Sequence, residues 1–501
     1  MKRGRKQHGR LKRDWSTPES GVWEQMADYY AEHRFSHQGN KGIAKLHRGM
    51  KLRIEDASSA PECEDDRLVF RVELAPHAEW HVSLSWLAYV NGLLLPGPTR
   101  SDCKENEWSR RRREFFESAA DFALPHSQDL TATVQRVMRQ AAVDIGDLRM
   151  FDLDSPGGIT VAAGIPTYLE LFGRDTEISA WQAATLSAAF LRGCLNVFSK
   201  LPAHEVNDWR DAQPGRIPHQ IHTDPLSVLN YRPMSLYFGS VSSSFLYPIV
   251  MAELWRWTGD LDALRPYVET ALGALRWADT YSLDSTGFYR YKSRSEQGVK
   301  NQGWKDSSDA IVYPDGSQVE APLGTCEMQG FVYAAKTQFS EILWRLGDRE
   351  TARRLFHEAE ELKKRFNDKF WIEDDGFFGL AIDSKGELVR SVASDPGQCL
   401  FGGIVDDDKR KLIVDRLMKE DLFSGWGVRT LSANHPAYNP FSYHRGTVWP
   451  VTAANFVLAF GRYGFHQQMH RLSKSMFEAA ELFEHGRLPE VFGGHQRNAE
   501  T

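Results

Sequence analysis

A carboxylate held between a large aromatic ring and an ammonium group can do acid–base chemistry, and the stretch Gln302-Gly303-Trp304-Lys305-Asp306-Ser307-Ser308-Asp309 supplies one. Apolar cover from Trp304 and charge from Lys305 would tune the proton affinity of Asp306, as a general acid requires. The stretch lies in a polar and aromatic connection from Thr280 to about Thr325. A loop of that length without evident secondary structure is uncommon unless it has a function. The plainer alternative is a turn whose Asp and Ser side chains bond the local backbone.

Hydrolysis of a glycosidic bond with inversion needs a second carboxyl ~6.5–9.5 Å from the acid to activate water. Glu490, in Arg487-Leu488-Pro489-Glu490-Val491-Phe492, is a candidate that loop geometry could bring to the same end as Asp306, although alone it reads as an exposed turn residue. Arg174 and Asp175, in Leu171-Phe172-Gly173-Arg174-Asp175, put a guanidinium beside a carboxylate. Together they could clamp vicinal hydroxyls through charge-assisted hydrogen bonds, or Asp175 could simply cap a helix. Trp426, in Ser424-Gly425-Trp426-Gly427, and Tyr443, His444 and Trp449, in Ser442 to Pro450, would make a polar and aromatic wall; core packing is the alternative for the two Trp. Aromatic residues are 12% of the chain, with 15 Trp, many beside Gly, Pro, Arg or Asp. Flat rings next to polar groups suit sugar faces, and they also fill large cores.

Composition narrows the classes. The formal net charge of -6 carries no global basic excess of the kind nucleic acid attracts. The seven Lys and Arg between Lys2 and Arg13 are not followed by an apolar stretch, so they read as a solvated tail and not as an export signal. Apolar runs are broken by charge well before a membrane span of ~18 residues. Five scattered cysteines, Cys63, Cys103, Cys194, Cys326 and Cys399, suit reduced thiols in the cytoplasm. No Gly-rich phosphate loop, Cys-x-x-Cys pair or His-Glu-x-x-His run is present, so no cofactor and no metal is expected.

The elements that must position these residues are mostly helices. Residues 1–45 read as basic tail and irregular segment, and 46–125 as a β-rich domain. Within it Leu68, Phe70, Val72 and Leu74 alternate as one strand and Trp80, Val82, Leu84 and Trp86 as the next, forming a hairpin. Residues 126–150 hold an amphipathic helix expected to link domains, and 151–501 form the last domain. There the spacing predicts five helical hairpins, with helices at 175–200 (split near Ser187), 241–258 and 261–280, about 326–346 and its successor, 396–420, and 447–463 and its successor. Gly259, Gly347 and Gly464 fall at helix C-caps. Loops of unequal length argue against a solenoid of fixed period and for a toroid, with inner helices buried all round and long loops building a site at one end.

Leu171 to Asp175, Pro214-Gly215-Arg216-Ile217, Tyr237-Phe238-Gly239-Ser240, Gly303 to Ser307, Cys326-Glu327-Met328-Gln329-Gly330, Phe423 to Ser432, Ser442 to Pro450 and Arg487 to Phe492 form an ordered set. Over residues 128–495 that set resembles bacterial amylo-α-1,6-glucosidase or glycogen-debranching-like glycoside hydrolases of the six-hairpin glycosidase superfamily. It is also similar to mannosylglycerate-hydrolase-type domains. The resemblance implies a mainly α, (α/α)6 toroid, inverting hydrolysis of an oligosaccharide or small glycoside, and no metal. It implies Asp306 as general acid and Glu490 as general base, with Arg174, Asp175, Gln302, Trp304, Lys305, Glu327, Trp426, Tyr443, His444 and Trp449 holding substrate. Gln220, Ser242 and Gln398 depart from its pattern, and the toroid reads as incomplete at the C-terminus behind a shortened β-rich region. An open ring would expose apolar surface that self-association covers. A catalytically silent carbohydrate-binding protein, or a fragment of such an enzyme, is the competing expectation.

Overall fold

The computed structural model describes residues 12–16, 23–64, 67–95, 107–123 and 130–498. Most of the basic run that begins at Lys2, together with Cys103 and residues 126–129 of the expected linker helix, lies outside the described residues. The chain forms two compact units, Met1–Glu117 with His222–Ser235, and Ser118–Ile221 with Leu236–Thr501.

The first unit is built on an antiparallel sheet of strands β1 (Lys12–Ser16), β2 (Trp23–His37), β3 (Asn40–Ala57), β6 (Val82–Val90) and β7 (Leu93–Leu94) in that order. Strands β4 (Pro61–Glu64) and β5 (Arg67–Phe70) pair apart from it, and helix α1 (Glu107–Ser118) follows. Of the residues expected to be irregular, 23–45 lie in two long strands joined at Gln38-Gly39, where both residues take positive φ, 40° and 83°, as a two-residue hairpin turn requires. The pattern was weak because both faces carry polar residues and, among the described side chains of β3, only Leu46, Leu52 and Ile54 are buried.

The expected 68–74 with 80–86 hairpin does not form. Val72 and Leu74 are exposed, β5 folds back on β4, and β6 pairs instead with β3, opposite Leu52 and Ile54. The excursion His222–Ser235, with the single turn α5 (Pro225–Val228), belongs to this unit. Asp224 caps α5, and His33 bonds the Leu229 carbonyl at 2.7 Å while stacking on Tyr231.

The second unit is a helical toroid of the (α/α)6 type. Its inner helices are α3 (Gly173–Gln182), α6 (Ser242–Thr258), α8 (Cys326–Leu346), α10 (Asp395–Gly402) and α12 (Pro450–Arg462), each packed on the next. Outer helices α4 (Ala189–Phe198), α7 (Val268–Trp277), α9 (Arg349–Lys369), α11 (Asp407–Leu417) and α13 (His466–Ala480) return along the outside. Burial follows composition: every residue of α10 is buried, whereas α9 buries the single stripe Ala352, Leu355, Ala359, Leu362 and Phe366 beneath a charged face. Gly259 and Gly347 close α6 and α8 in left-handed conformation, as expected of them.

The helix expected as a linker, α2 (Thr131–Asp147), is part of this unit. It packs on α13, and Asp144 takes both guanidinium arms of Arg487 at 2.8 Å. The helix also packs on the turn Glu484–Gly486, and sequence periodicity alone does not distinguish such a packed helix from a connector. Helices α3 and α12 meet where Gln182 Nε2 donates to Asn455 Oδ1 at 2.9 Å and to the Val451 carbonyl at 3.2 Å. Among the described residues no helix is long and apolar enough to cross a membrane.

Candidate active site

A two-residue ladder, Leu171–Phe172 against Gln220–Ile221, starts α3 at the mouth of the toroid, and Gly173 N donates to the His219 carbonyl at 2.8 Å. A side chain at Gly173 would place Cβ 2.1 Å from the Pro218 carbonyl oxygen, so the close approach needs glycine there. The first turn of α3 then presents Arg174 and Asp175 to a cavity of about 980 Å³ that Asp306, Trp304, Tyr443, Trp449 and Glu490 also line.

Arg174 is the hub of one wall. Its Nη1 donates to the Gly303 carbonyl at 2.8 Å and its Nη2 to Asp306 Oδ2 at 3.0 Å, while His219 Nε2 lies 3.9 Å from the same oxygen. Burial pushes the Asp306 carboxyl up, but Arg174, then His219 and His444, outweigh it and hold the group below the usual carboxylate range. Asp175 goes the other way: burial, with Asp306 adding to it, raises its pKa against the pull of Arg174. Two carboxyls flanking one guanidinium are thus driven apart, one toward the ionised and one toward the protonated form.

The opposite wall is aromatic. Trp304 meets Trp449 edge-on at 5.7 Å, His444 stacks on Trp449 at 5.0 Å, and Tyr443 packs edge-on to both. Pro450 starts α12 at the position where a missing N–H costs nothing, and Trp449 just before it bonds the Tyr443 carbonyl at 2.9 Å. The Tyr443 hydroxyl donates to Glu490 Oε1 at 2.7 Å, which ties this exposed carboxylate to the cavity rim.

Of the residues expected to hold substrate, Arg174, Asp175, Trp304, Tyr443 and Trp449 line the cavity, and the five others are not among its lining residues. Gln302 accepts from Arg216 Nη2 at 2.6 Å on a neighbouring hollow. Lys305 is buried, donating to Asp395 Oδ2 at 2.6 Å and to the Thr430 carbonyl at 2.7 Å. Glu327 is buried, accepting from Thr325 Oγ1 at 2.6 Å, and burial followed by the neighbouring Asp395 raises its pKa to about 8. His444 backs Trp449 and bonds Ser307, and Trp426 lies under the Arg497 guanidinium at 4.1 Å.

Sequence reasoning gave no role to His219, Gln182 or Asn455, and treated Gln220 and Gln398 only as departures; all five line the cavity. Gln182, Gln398 and Asn455 form an amide chain across three inner helices, with Asn455 Nδ2 3.4 Å from Gln398 Oε1. Amides inside otherwise apolar helical stripes were the available signal, since a buried amide needs partners or a ligand.

The model of the mannosylglycerate hydrolase MGH1-like glycoside hydrolase domain matches residues 199–494. The fold is similar to the GH63 mannosylglycerate hydrolase from Thermus thermophilus in complex with Tris and D-glycerate (TM-score 0.51, 15% identity, 73% of this chain and 94% of that one). It is also similar to a rhamnosidase from Klebsiella oxytoca with rhamnose bound (TM-score 0.51, 12% identity, 97% of this chain and 82% of that one). A search of curated protein sequences finds no match.

Proposed function

The chain belongs to the mannosylglycerate hydrolase MGH1-like glycoside hydrolase domain family, and on that premise we propose that it is an inverting glycosidase with Asp306 as general acid and Glu490 as general base. The bond proposed for it is α-glucosidic, as in amylo-α-1,6-glucosidases, in a glucan or small glucoside. The observation that carries this reading is that both carboxylates line one cavity of about 980 Å³, at the upper end of the ~300–1,000 Å³ typical of small-ligand sites.

In that scheme Asp306 gives its proton to the glycosidic oxygen as the bond to the anomeric carbon breaks. Glu490, held by Tyr443, takes a proton from the water that attacks the opposite face, so the product is the inverted anomer. Arg174 keeps Asp306 ionised in the free cavity. A bound sugar that excludes water and draws Arg174 onto its hydroxyls would raise the acid and load its proton. The buried free thiols Cys194, Cys326 and Cys399 support a cytoplasmic setting.

The test is turnover of isomaltose, maltooligosaccharides, glucosylglycerate and mannosylglycerate, with the product anomer read by NMR. Loss of turnover in Asp306→Asn with binding retained is expected; full activity in that variant removes Asp306 from the mechanism. Gln220 and Gln398 in the cavity lining favour a second reading, a silent carbohydrate-binding protein. Saturable binding by calorimetry with no product would select it.

A further inference from the structure

Residues 303–306 are gripped from two sides. On the cavity side Arg174 bonds the Gly303 carbonyl and the Asp306 carboxylate. On the core side Asp395, fully buried at the start of α10, accepts from Trp304 Nε1 at 2.8 Å on one oxygen and from Lys305 Nζ at 2.6 Å on the other. Lys305 continues to the Thr430 carbonyl at 2.7 Å. The floor beneath is close-packed as well: a Cβ at Gly303 would stand 3.0 Å from Glu327 Oε1, so the loop backbone lies against that side chain.

We infer that Asp395 is a positioning residue for the acid, and that Lys305 acts through it and not on substrate. One carboxylate fixes Trp304, a ring that lines the cavity, and Lys305, the residue next to the acid. A buried ion pair is weak evidence for stability, because apolar replacements of both partners are often neutral. Its value here is geometric, since a reacting group displaced by ~1 Å can cost on the order of a hundredfold in rate. The inference rests on Asp306 being the acid of the proposed glycosidase.

Asp395→Asn keeps an acceptor for the Trp304 indole and removes the charge that holds Lys305. The expected result is a kcat at least roughly tenfold lower with KM changed less than about threefold, and faster amide hydrogen exchange in the peptide spanning residues 303–306. A folded Asp395→Asn with the kcat and exchange of the parent overturns the inference. If that variant does not fold, the double variant Asp395→Asn with Lys305→Met removes both charges together: low kcat at near-parent melting temperature supports the positioning role, and parent kcat overturns it. Should the parent chain turn over no glycoside, the proposed function fails, and hydrogen exchange in residues 303–306 alone decides whether Asp395 holds the loop.

Discussion

Tyr443 donates its phenolic proton to Glu490 at 2.7 Å while packing at 4.7 Å against Trp449, so the proposed base is aimed by a residue anchored in the aromatic wall. Burial first, and then the Glu490 carboxylate, raise the Tyr443 pKa and keep the phenol a donor. Glu490 itself is exposed, and without that bond it would sample many rotamers.

Tyr443→Phe keeps the ring and removes only the bond. Hydrogen bonds to charged groups contribute ~1.5–3 kcal/mol, and exposure discounts this one, so kcat should fall about tenfold. Steady-state kinetics with the preferred glycoside will show it; a parent-like kcat would mean Glu490 needs no aiming.

The Arg174–Asp306 pair sets the pH dependence. A general acid works only while protonated, and Arg174 depresses the Asp306 pKa, so the alkaline fall of kcat/KM begins early. Arg174→Met removes the largest charge that opposes burial. The expected change is a shift of that limb to higher pH together with a lower maximum, because the variant also loses the bond to Gly303. A kcat/KM profile whose limb stays in place would show that Arg174 does not tune the acid.

The helices were legible because an inner one such as α8 is buried along most of its length and an outer one such as α9 carries a single stripe, and α8 begins and ends where its spacing put it. The sheet was less so. Strands β2 and β3 present polar side chains on both faces, so period-two contrast fades, and pairing partners such as β6 with β3 depend on contacts remote in sequence. At the site, residue types pointed to Asp306, Glu490, Arg174 and the aromatic wall. They could not tell a lysine facing the cavity from one facing the core: Lys305 is adjacent to Asp306 yet turned to Asp395. Glu327 is likewise a first-turn residue of an inner helix, and only three-dimensional packing shows that its carboxyl is buried, bonded to Thr325 and close beneath Gly303.

Glu327 makes a stability prediction. Its carboxyl pKa is raised from 4.5 to about 8 by burial and by Asp395. Between those values the folded chain keeps a proton that the unfolded chain has released, so stability falls as pH rises through the window. Glu327→Gln is neutral throughout and can still accept from Thr325. Urea unfolding should show near-parent stability at about pH 5 and a relative gain on the order of 4 kcal/mol at about pH 9. A constant difference between the two chains across this range would contradict a protonated Glu327.

His444 predicts the opposite slope. Its Nδ1 accepts from the Ser307 backbone N–H at 3.4 Å and lies 2.8 Å from Ser307 Oγ, so the neutral ring carries its proton on Nε2, a buried atom with no hydrogen-bond partner. Burial lowers the pKa from 6.5 to about 3, with Lys305 and Arg174 reinforcing it and Asp306 opposing. Below pH 6.5 the unfolded chain takes up a proton that the folded chain refuses, so acidification costs stability until the pH approaches 3. Carboxylates with depressed values, such as Glu358 and Asp421, lose their contribution only below about 4.5, their ordinary range. Between about pH 6.5 and 4.5 the histidines therefore act against Glu327, whose opposite slope is common to parent and variant, and His435, lowered by burial, adds to the slope of His444. His444→Asn preserves an acceptor for Ser307 and cannot titrate. Its unfolding free energy should fall by about 2 kcal/mol less than the parent's over that interval. Parallel acid limbs for the two chains would show that the ring behind Trp449 is already charged in the native state.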